Sequence, residues 1–293
     1  MGRLIRCITT DGCVTAMAVD TTDIVNEAAR LHETSAVISA ALGRLLTAAS
    51  MMGSSLKTDV GSITLRLSAD GPAGAVVAVA DSDGNVRGYA ENPVVEIPLN
   101  PKGKLDVGGA VGHNGSLYVL KDLGMKEPYN GVIPLVSGEI AEDITAYFAE
   151  SEQIPTVCAL GVLVNPDLTI KAAGGYLIQL LPTADNEIIT KVEKSIETIQ
   201  PITTLLSNGM SLEDIVKNAL NQFEVEKLDE SVVEYKCNCS RERTEKVLST
   251  IGADDLNKLA EEQEVTSVNC HFCNRVYDFT SEELKTLSKK ISK

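Results

Sequence analysis

TVCALGVLVNPDLTIKAAGGYLIQL, residues 156–180, contains two strand-like runs, Thr156–Val164 and Thr169–Leu180, separated by the turn signal Asn165-Pro166-Asp167. Apolar and β-branched runs bounded by Asn, Pro and Asp mark strands, and strands joined by tight turns read as antiparallel. The signature recurs towards the N-terminus. Ser62–Ser68, Ala75–Ala80, Arg87–Ala90 and Ser116–Lys121 alternate in the same way, with Asp83-Gly84 among the turns between them. Residues 3–9 and 13–19 flank Asp11-Gly12, a two-residue hairpin signal. Helical spacing interrupts the strands twice. From Thr22 to about Gly53, Ile24, Val25, Ala28, Leu31, Val37, Ile38, Ala41, Leu42, Leu45 and Leu46 recur at threes and fours, implying one or two amphipathic helices, and Glu139–Glu150 is also helix-like. Hairpins mixed with helices, without a repeating βαβ unit, give an α+β core of mostly antiparallel sheet over residues 1–181.

The pattern changes after Pro182. Ile188, Ile189, Val192, Ile196 and Ile199 share one helical face until Pro201 stops it. Ser211, followed three residues later by Asp214, caps a second helix carrying Ile215, Ala219, Leu220 and Phe223. Residues 182–230 therefore read as a helical connector ending in an acidic bridge of Glu224, Glu226, Asp229 and Glu230. Short helices of this kind depend on packing against neighbours, so the connector is the expected moving part. Residues 231–293 form a third, cysteine-rich domain.

Composition narrows the function. The chain of 293 residues is long enough for two domains, and 44% hydrophobic residues against 23% charged is the balance of a globular protein. The formal charge is −15, while residues 231–293 carry ten basic against eleven acidic side chains, so the excess acid lies in the body. An acidic body beside a neutral tail offers no phosphate-binding face, which argues against nucleic acid. The N-terminal MGRLIRCITTDG lacks a signal-peptide core, and no uncharged apolar run reaches 18 residues. The expectation is a cytoplasmic protein without a membrane partner.

Four of the seven cysteines fall in the tail as Cys237-Asn-Cys239 and, thirty residues on, Cys270-His-Phe-Cys273. Two close-spaced pairs can converge on one tetrahedral Zn²⁺, and in a reducing cytosol zinc is favoured over permanent disulfides. One zinc per chain is expected. Helical stretches Arg241–Leu248 and Asp254–Glu262 fit between the pairs, and Ser281 is placed to cap a last helix around Leu284 and Leu287. So small a module has little core, and metal binding contributes on the order of 10 kcal/mol to comparable peptides. A purely structural zinc ribbon is the plainest reading of such a site. Ordinary ribbons, however, use C-x₂₋₄-C on both sides, and C-x-C is tighter. Thiols one or two residues apart can also close on each other when oxidised, although a Cys-x-Cys bridge lies near the geometric limit. Oxidation would then release the metal and the folding free energy it supplies.

The C-x-C and C-x-x-C pairs, with Ser-Arg-Glu-Arg after Cys239, resemble the zinc module of the heat-shock protein 33 family of redox-regulated chaperones. Lys121-Asp-Leu-Gly, Pro128-Tyr129, the run from Val136 to Asp143 (VSGEIAED), Ser151-Glu-Gln-Ile-Pro155 and Leu160-Gly-Val-Leu-Val164 are similar to that family's core, and the resemblance runs essentially end to end. It implies Cys237, Cys239, Cys270 and Cys273 as zinc ligands in an ATP-independent holdase that is inactive when reduced. It further implies disulfides Cys237–Cys239 and Cys270–Cys273 on oxidation, unfolding of tail and connector, binding of unfolding client proteins, and a homodimer in the oxidised state. No catalytic residues are expected.

Other candidates carry less. Cys7, Cys13 and Cys158 lie in apolar, strand-like contexts, where cysteine is usually a small buried hydrophobe. His32, His113 and His271 have no evident nucleophile partner, and four thiolates already fill the shell that His271 could compete for. Gly108–Gly115 (GGAVGHNG) resembles a phosphate cradle loosely but leads into a strand, so it reads as a tight loop. Two other classes compete with the chaperone. A thiol–disulfide oxidoreductase would use Cys270–Cys273 in a βαβ context that is missing here. A zinc-ribbon adaptor would keep its metal under oxidation and display a basic or aromatic face.

Overall fold

The Asp11-Gly12 signal produces a hairpin. In the computed structural model, which describes residues 1–291, β1 (Gly2–Thr9) pairs antiparallel with β2 (Val14–Asp20). The loop holds four residues instead of two, because Asp11 Oδ1 accepts from the Thr9 hydroxyl (2.5 Å) and the Cys13 amide (3.0 Å) while Gly12 takes φ +68°. Two helices follow, α1 (Thr22–His32) and α2 (Ala36–Ser54). Every residue of α2 except Ala36 and Arg44 is buried. A helix apolar all round belongs in an interior, so its membrane-like length reflects a core helix.

The alternating runs form β3 (Ser62–Ala69), β4 (Val76–Asp81), β5 (Val86–Ala90), β6 (Gly115–Asp122) and β7 (Tyr129–Pro134), with a short α3 (Val107–Val111) inserted before β6. Their sheet has the order β5-β4-β3-β6-β7, all antiparallel. Period two holds along β3: Ile63, Leu65 and Leu67 are fully buried, while Arg66 faces out. Helix α4 (Ala141–Tyr147) passes through a π-helical turn (Phe148–Glu152) into the stretch quoted first, which is the hairpin β8 (Thr156–Val164) and β9 (Ile170–Leu180). With β1, β2 and β10 (Val225–Val233) it makes a second sheet, β10-β1-β2-β9-β8. Helix α2 packs on both sheets and is the middle of the layers.

The region after Pro182 folds as α5 (Asn186–Ile196), α6 (Ile202–Ser207) and α7 (Leu212–Ala219). Ser211 caps α7 as expected, its Oγ accepting from the Asp214 amide at 3.1 Å. These helices cover the second sheet's other face, where Val192, Ile202, Leu205, Leu212, Ile215 and Val216 pack on Ile5, Ala16, Ala18, Tyr176 and Ile178. The acidic bridge expected over 224–230 is instead β10, paired with β1 from Gly2↔Val233 to Thr9↔Val225. Its charges face solvent and pair with residues of β1 and α7. Arg3 donates to Glu230 and Glu213 at 2.5 Å each, and Lys227 reaches the same two carboxylates.

The described chain divides into two compact units, Met1–Lys236 and a second that begins at Cys237. The second contains α8 (Arg241–Leu248), α9 (Ala253–Glu262), the hairpin β11 (Val265–Asn269) and β12 (Val276–Thr280), and α10 (Ser281–Ile291). Its core is small, with Leu248, Leu256, Ala260, Phe279 and Leu284 buried. The cap of α10 lies one residue before Ser281. The Thr280 hydroxyl accepts from the Glu283 amide (3.3 Å) and the Glu283 carboxylate accepts back from the Thr280 amide (2.8 Å), while Ser281 donates to the Gln263 carbonyl. The expected C-terminal domain also includes Ser292 and Lys293, which lie outside the described residues.

Candidate metal centre

Two short loops present the four tail cysteines. The first, Cys237–Cys239, runs directly into α8: Ser240 Oγ accepts from the Arg243 amide (3.2 Å), and Arg243 donates back to the Asn238 carbonyl (3.3 Å). The second is the turn between β11 and β12. Cys270 N–H donates to the Arg275 carbonyl (2.9 Å) and Asn274 N–H to the Cys270 carbonyl (2.8 Å), with Asn274 held at φ +55°, a conformation Asn tolerates. Arg241 ties the loops together. It donates to the Asp278 carbonyl (2.8 Å) and Glu283 (2.6 Å) while its guanidinium lies 4.4 Å from the centre of the Phe279 ring.

The four sulfurs converge. Cys237 Sγ lies 3.7 Å from Cys270 Sγ, Cys239 Sγ lies 3.4 Å from Cys273 Sγ, and all four fall within 4.8 Å of one another. A tetrahedral Zn²⁺ with Zn–S bonds of about 2.3 Å sets its sulfurs about 3.8 Å apart. The donor set therefore fits a closed tetrathiolate site. No disulfide occurs among the described residues, and all seven cysteines are free.

Electrostatics favour a bound cation. Burial pushes the Cys237 and Cys273 thiols up, because a thiolate loses its hydration there. Burial acts on Cys239 in the same direction, but hydrogen bonds from the Tyr277 hydroxyl (3.1 Å) and the other thiols outweigh it and bring Cys239 down to about 7. One proton thus leaves the cluster easily, and a divalent metal supplies the charge that lets the others follow.

The remaining candidates sit among local partners. Cys7 is buried in a core and Cys158 packs against one; burial raises both thiols, Cys158 to about 12. Cys13 is partly exposed and donates weakly to the Asp11 carbonyl. His32 meets the Tyr235 hydroxyl (3.3 Å), His113 Nδ1 meets the Ser137 carbonyl (2.9 Å), and His271 is not among the converging ligand atoms. Gly108–Gly115 is not the tight loop alone that its sequence suggests, since it includes most of α3, and it leads into β6 as expected. The amides there are engaged by the chain's own carboxylates: Asp106 accepts from Gly109, Glu139 from Gly108, and Asp70 from His113 and Asn114. Sequence reasoning missed Tyr277, which supports the sulfurs from outside the motif, and gave no role to Arg241, which lies within the Ser240–Arg243 stretch. The alternation Val276-Tyr-Asp-Phe-Thr280 was the available signal for the strand that carries Tyr277.

Comparison with known proteins agrees with this architecture. The family model described as Hsp33 protein matches residues 2–280. The chain belongs to the Hsp33 family. It is 47% identical over 284 residues to the 33 kDa chaperonin of Lachnoclostridium phytofermentans and 45% identical over 285 residues to that of Clostridium beijerinckii, covering 97% of each pair of chains. The crystal structure of the Thermotoga maritima 33 kDa chaperonin superposes with a TM-score of 0.89 at 37% identity, over 99% of both chains. The α+β assignment holds across that likeness. As a member of the Hsp33 family the chain is a molecular chaperone, whose partners are unfolded client proteins.

Proposed function

We propose that this chaperone is an ATP-independent holdase switched by oxidation of Cys237, Cys239, Cys270 and Cys273, the residues that hold one Zn²⁺ in the reduced, inactive state. The convergence of four sulfurs within 4.8 Å, in a unit whose core has only five buried apolar residues, carries the reading. Such a unit depends on its ligands for stability. An oxidant such as hydrogen peroxide takes two electrons from each zinc-bound thiolate pair and, with two protons from water, is reduced to two water molecules. Each oxidised pair becomes one disulfide, Cys237–Cys239 and Cys270–Cys273, and the metal leaves because a disulfide sulfur is a poor ligand. The shortest S···S approaches join the two loops, so the pairing within each loop follows metal release and local rearrangement.

With its ligands gone the tail unfolds. The connector's helices, α5 to α7, then loosen from the core sheet and uncover apolar surface for clients, an interaction that is non-directional and tolerates many sequences. Oxidised chains pair as homodimers by the same exposed surface. The cytoplasm, where thiols stay reduced until stress, suits this chemistry, and the charge of −15 disfavours nucleic acid. The holdase has no catalytic residue.

Zinc and thiol titration tests the switch. The reduced chain should bind one zinc, and peroxide should release it in step with the loss of four of the seven thiols. Zinc retained after oxidation would instead favour a structural ribbon serving as an adaptor.

A further inference from the structure

The two five-stranded sheets end on four strands, and three of them carry ordinary protection against pairing with another chain. β10 bears Glu226, Lys227, Asp229 and Glu230. β5 is five residues long, and Val86 bonds on to Glu234 and Lys236. β7 is six residues long and ends in Pro134. β8 lacks them: Thr156–Val164 is nine residues without a charge or a proline, paired in the sheet only to β9 and broken in register only at its end, between Leu163 and Val164. Its free edge opens into a groove of about 970 Å³ walled by α2 and the start of α6, lined by Ala40, Leu163, Ile202 and Thr203.

The groove's charge identifies what fits it. Its only charged lining residues, Arg44 and Lys104, are cationic, in a chain of net charge −15. Lys104 is exposed and makes no ion pair among the described residues. Arg44 is held by Glu139, but its Nε is buried without a hydrogen-bond partner. An apolar strand edge offers a row of backbone donors and acceptors, which an extended backbone satisfies while its side chains fill the flanking groove.

Building on the holdase reading, we infer that the free edge of β8 is a client-docking site that takes extended, apolar, carboxylate-bearing segments of unfolding proteins by strand addition. Residues 159–166 line the groove, so the added segment spans about eight residues, or roughly 27 Å at the rise of a strand. One wall, residues 199–204, belongs to the connector, so its loosening on oxidation widens the entrance.

The test uses the oxidised full-length chain with a photoreactive phenylalanine at position 163 or, for comparison, at position 118. Leu163 and Tyr118 are 38% and 39% exposed in the reduced fold, on β8 and on the other sheet's outer face. Reduced, carboxymethylated lactalbumin serves as a permanently unfolded acidic probe. Crosslinks should concentrate at 163, and Leu163→Lys and, separately, Lys104→Glu should each weaken lactalbumin binding by about tenfold, with the thermal melt of the reduced chain unchanged. Equal crosslinking at 118, crosslinks from 163 to a second copy of the chain, or variants that bind like the parent would overturn strand addition while leaving the switched holdase standing. Failure of the oxidised chain to bind lactalbumin at all would overturn both.

Discussion

Ile215 lies on α7 and is fully buried against the sheet face formed by Ile5, Ala18 and Tyr176. Replacing it with alanine removes three carbons from an enclosed site, and such truncations cost about 2–5 kcal/mol. Taking about 3 kcal/mol, the population with α7 detached from the sheet rises roughly a hundredfold. Ile215→Val, at about 1 kcal/mol, should raise it by less than tenfold. Native-state hydrogen exchange reads this directly, because amides of α7 should lose protection in proportion while those of β3 and β6 keep theirs. If the connector gates client binding, reduced, zinc-loaded Ile215→Ala should suppress client aggregation in part without oxidant, and Ile215→Val less. Unchanged exchange in α7 would refute the packing argument. Faster exchange with suppression still strictly dependent on oxidation would refute the gating role.

Other consequences follow from the same structure. Tyr277→Phe removes the hydroxyl that donates to Cys239 Sγ and should lower zinc affinity by about 10–100-fold, measured by competition with a chromogenic chelator. Hydrogen bonds from Arg3 lower the carboxyls of Glu230, to about 2, and of Glu213, so their contribution is present above the unfolded value near 4.5 and is lost as pH falls towards 2. Amide exchange along β10 should therefore accelerate over that window, and Arg3→Ala should flatten the acid dependence. Asp143 is fully buried and accepts from the amides of Val136, Ser137 and Ile140, with Ile140 at φ +77°. Asp143→Asn turns one acceptor into a donor facing an N–H and should cost about 2–4 kcal/mol, seen as a lower melting temperature.

The parts of the fold legible in sequence were those whose local pattern and tertiary role agree. Ile63, Leu65 and Leu67 alternate because one face of β3 is buried, and the apolar run of α2 is long because two sheets enclose it. Where charge hides the pattern, reading fails. β10 carries Glu226, Lys227, Asp229 and Glu230 because it is an edge strand that pairs through its backbone and sends its side chains to solvent, so composition alone made it a bridge. β11 and β12 are five residues each, so the alternation of Val276–Thr280 is a weak signal beside the cysteines they bracket. The four cysteines themselves were visible because thiol spacing is chemical and not conformational. That thirty-three intervening residues bring Cys239 within 3.4 Å of Cys273 required the fold.

The measurement closest to the central claim is light scattering from a thermally unfolding client mixed with either the reduced, zinc-loaded chain or the peroxide-oxidised, zinc-released chain at slightly raised temperature. The account expects suppression by the oxidised chain alone, reversed when a thiol reductant and zinc are restored. Equal suppression by both forms would contradict it, leaving a chaperone whose four cysteines serve structure and not regulation.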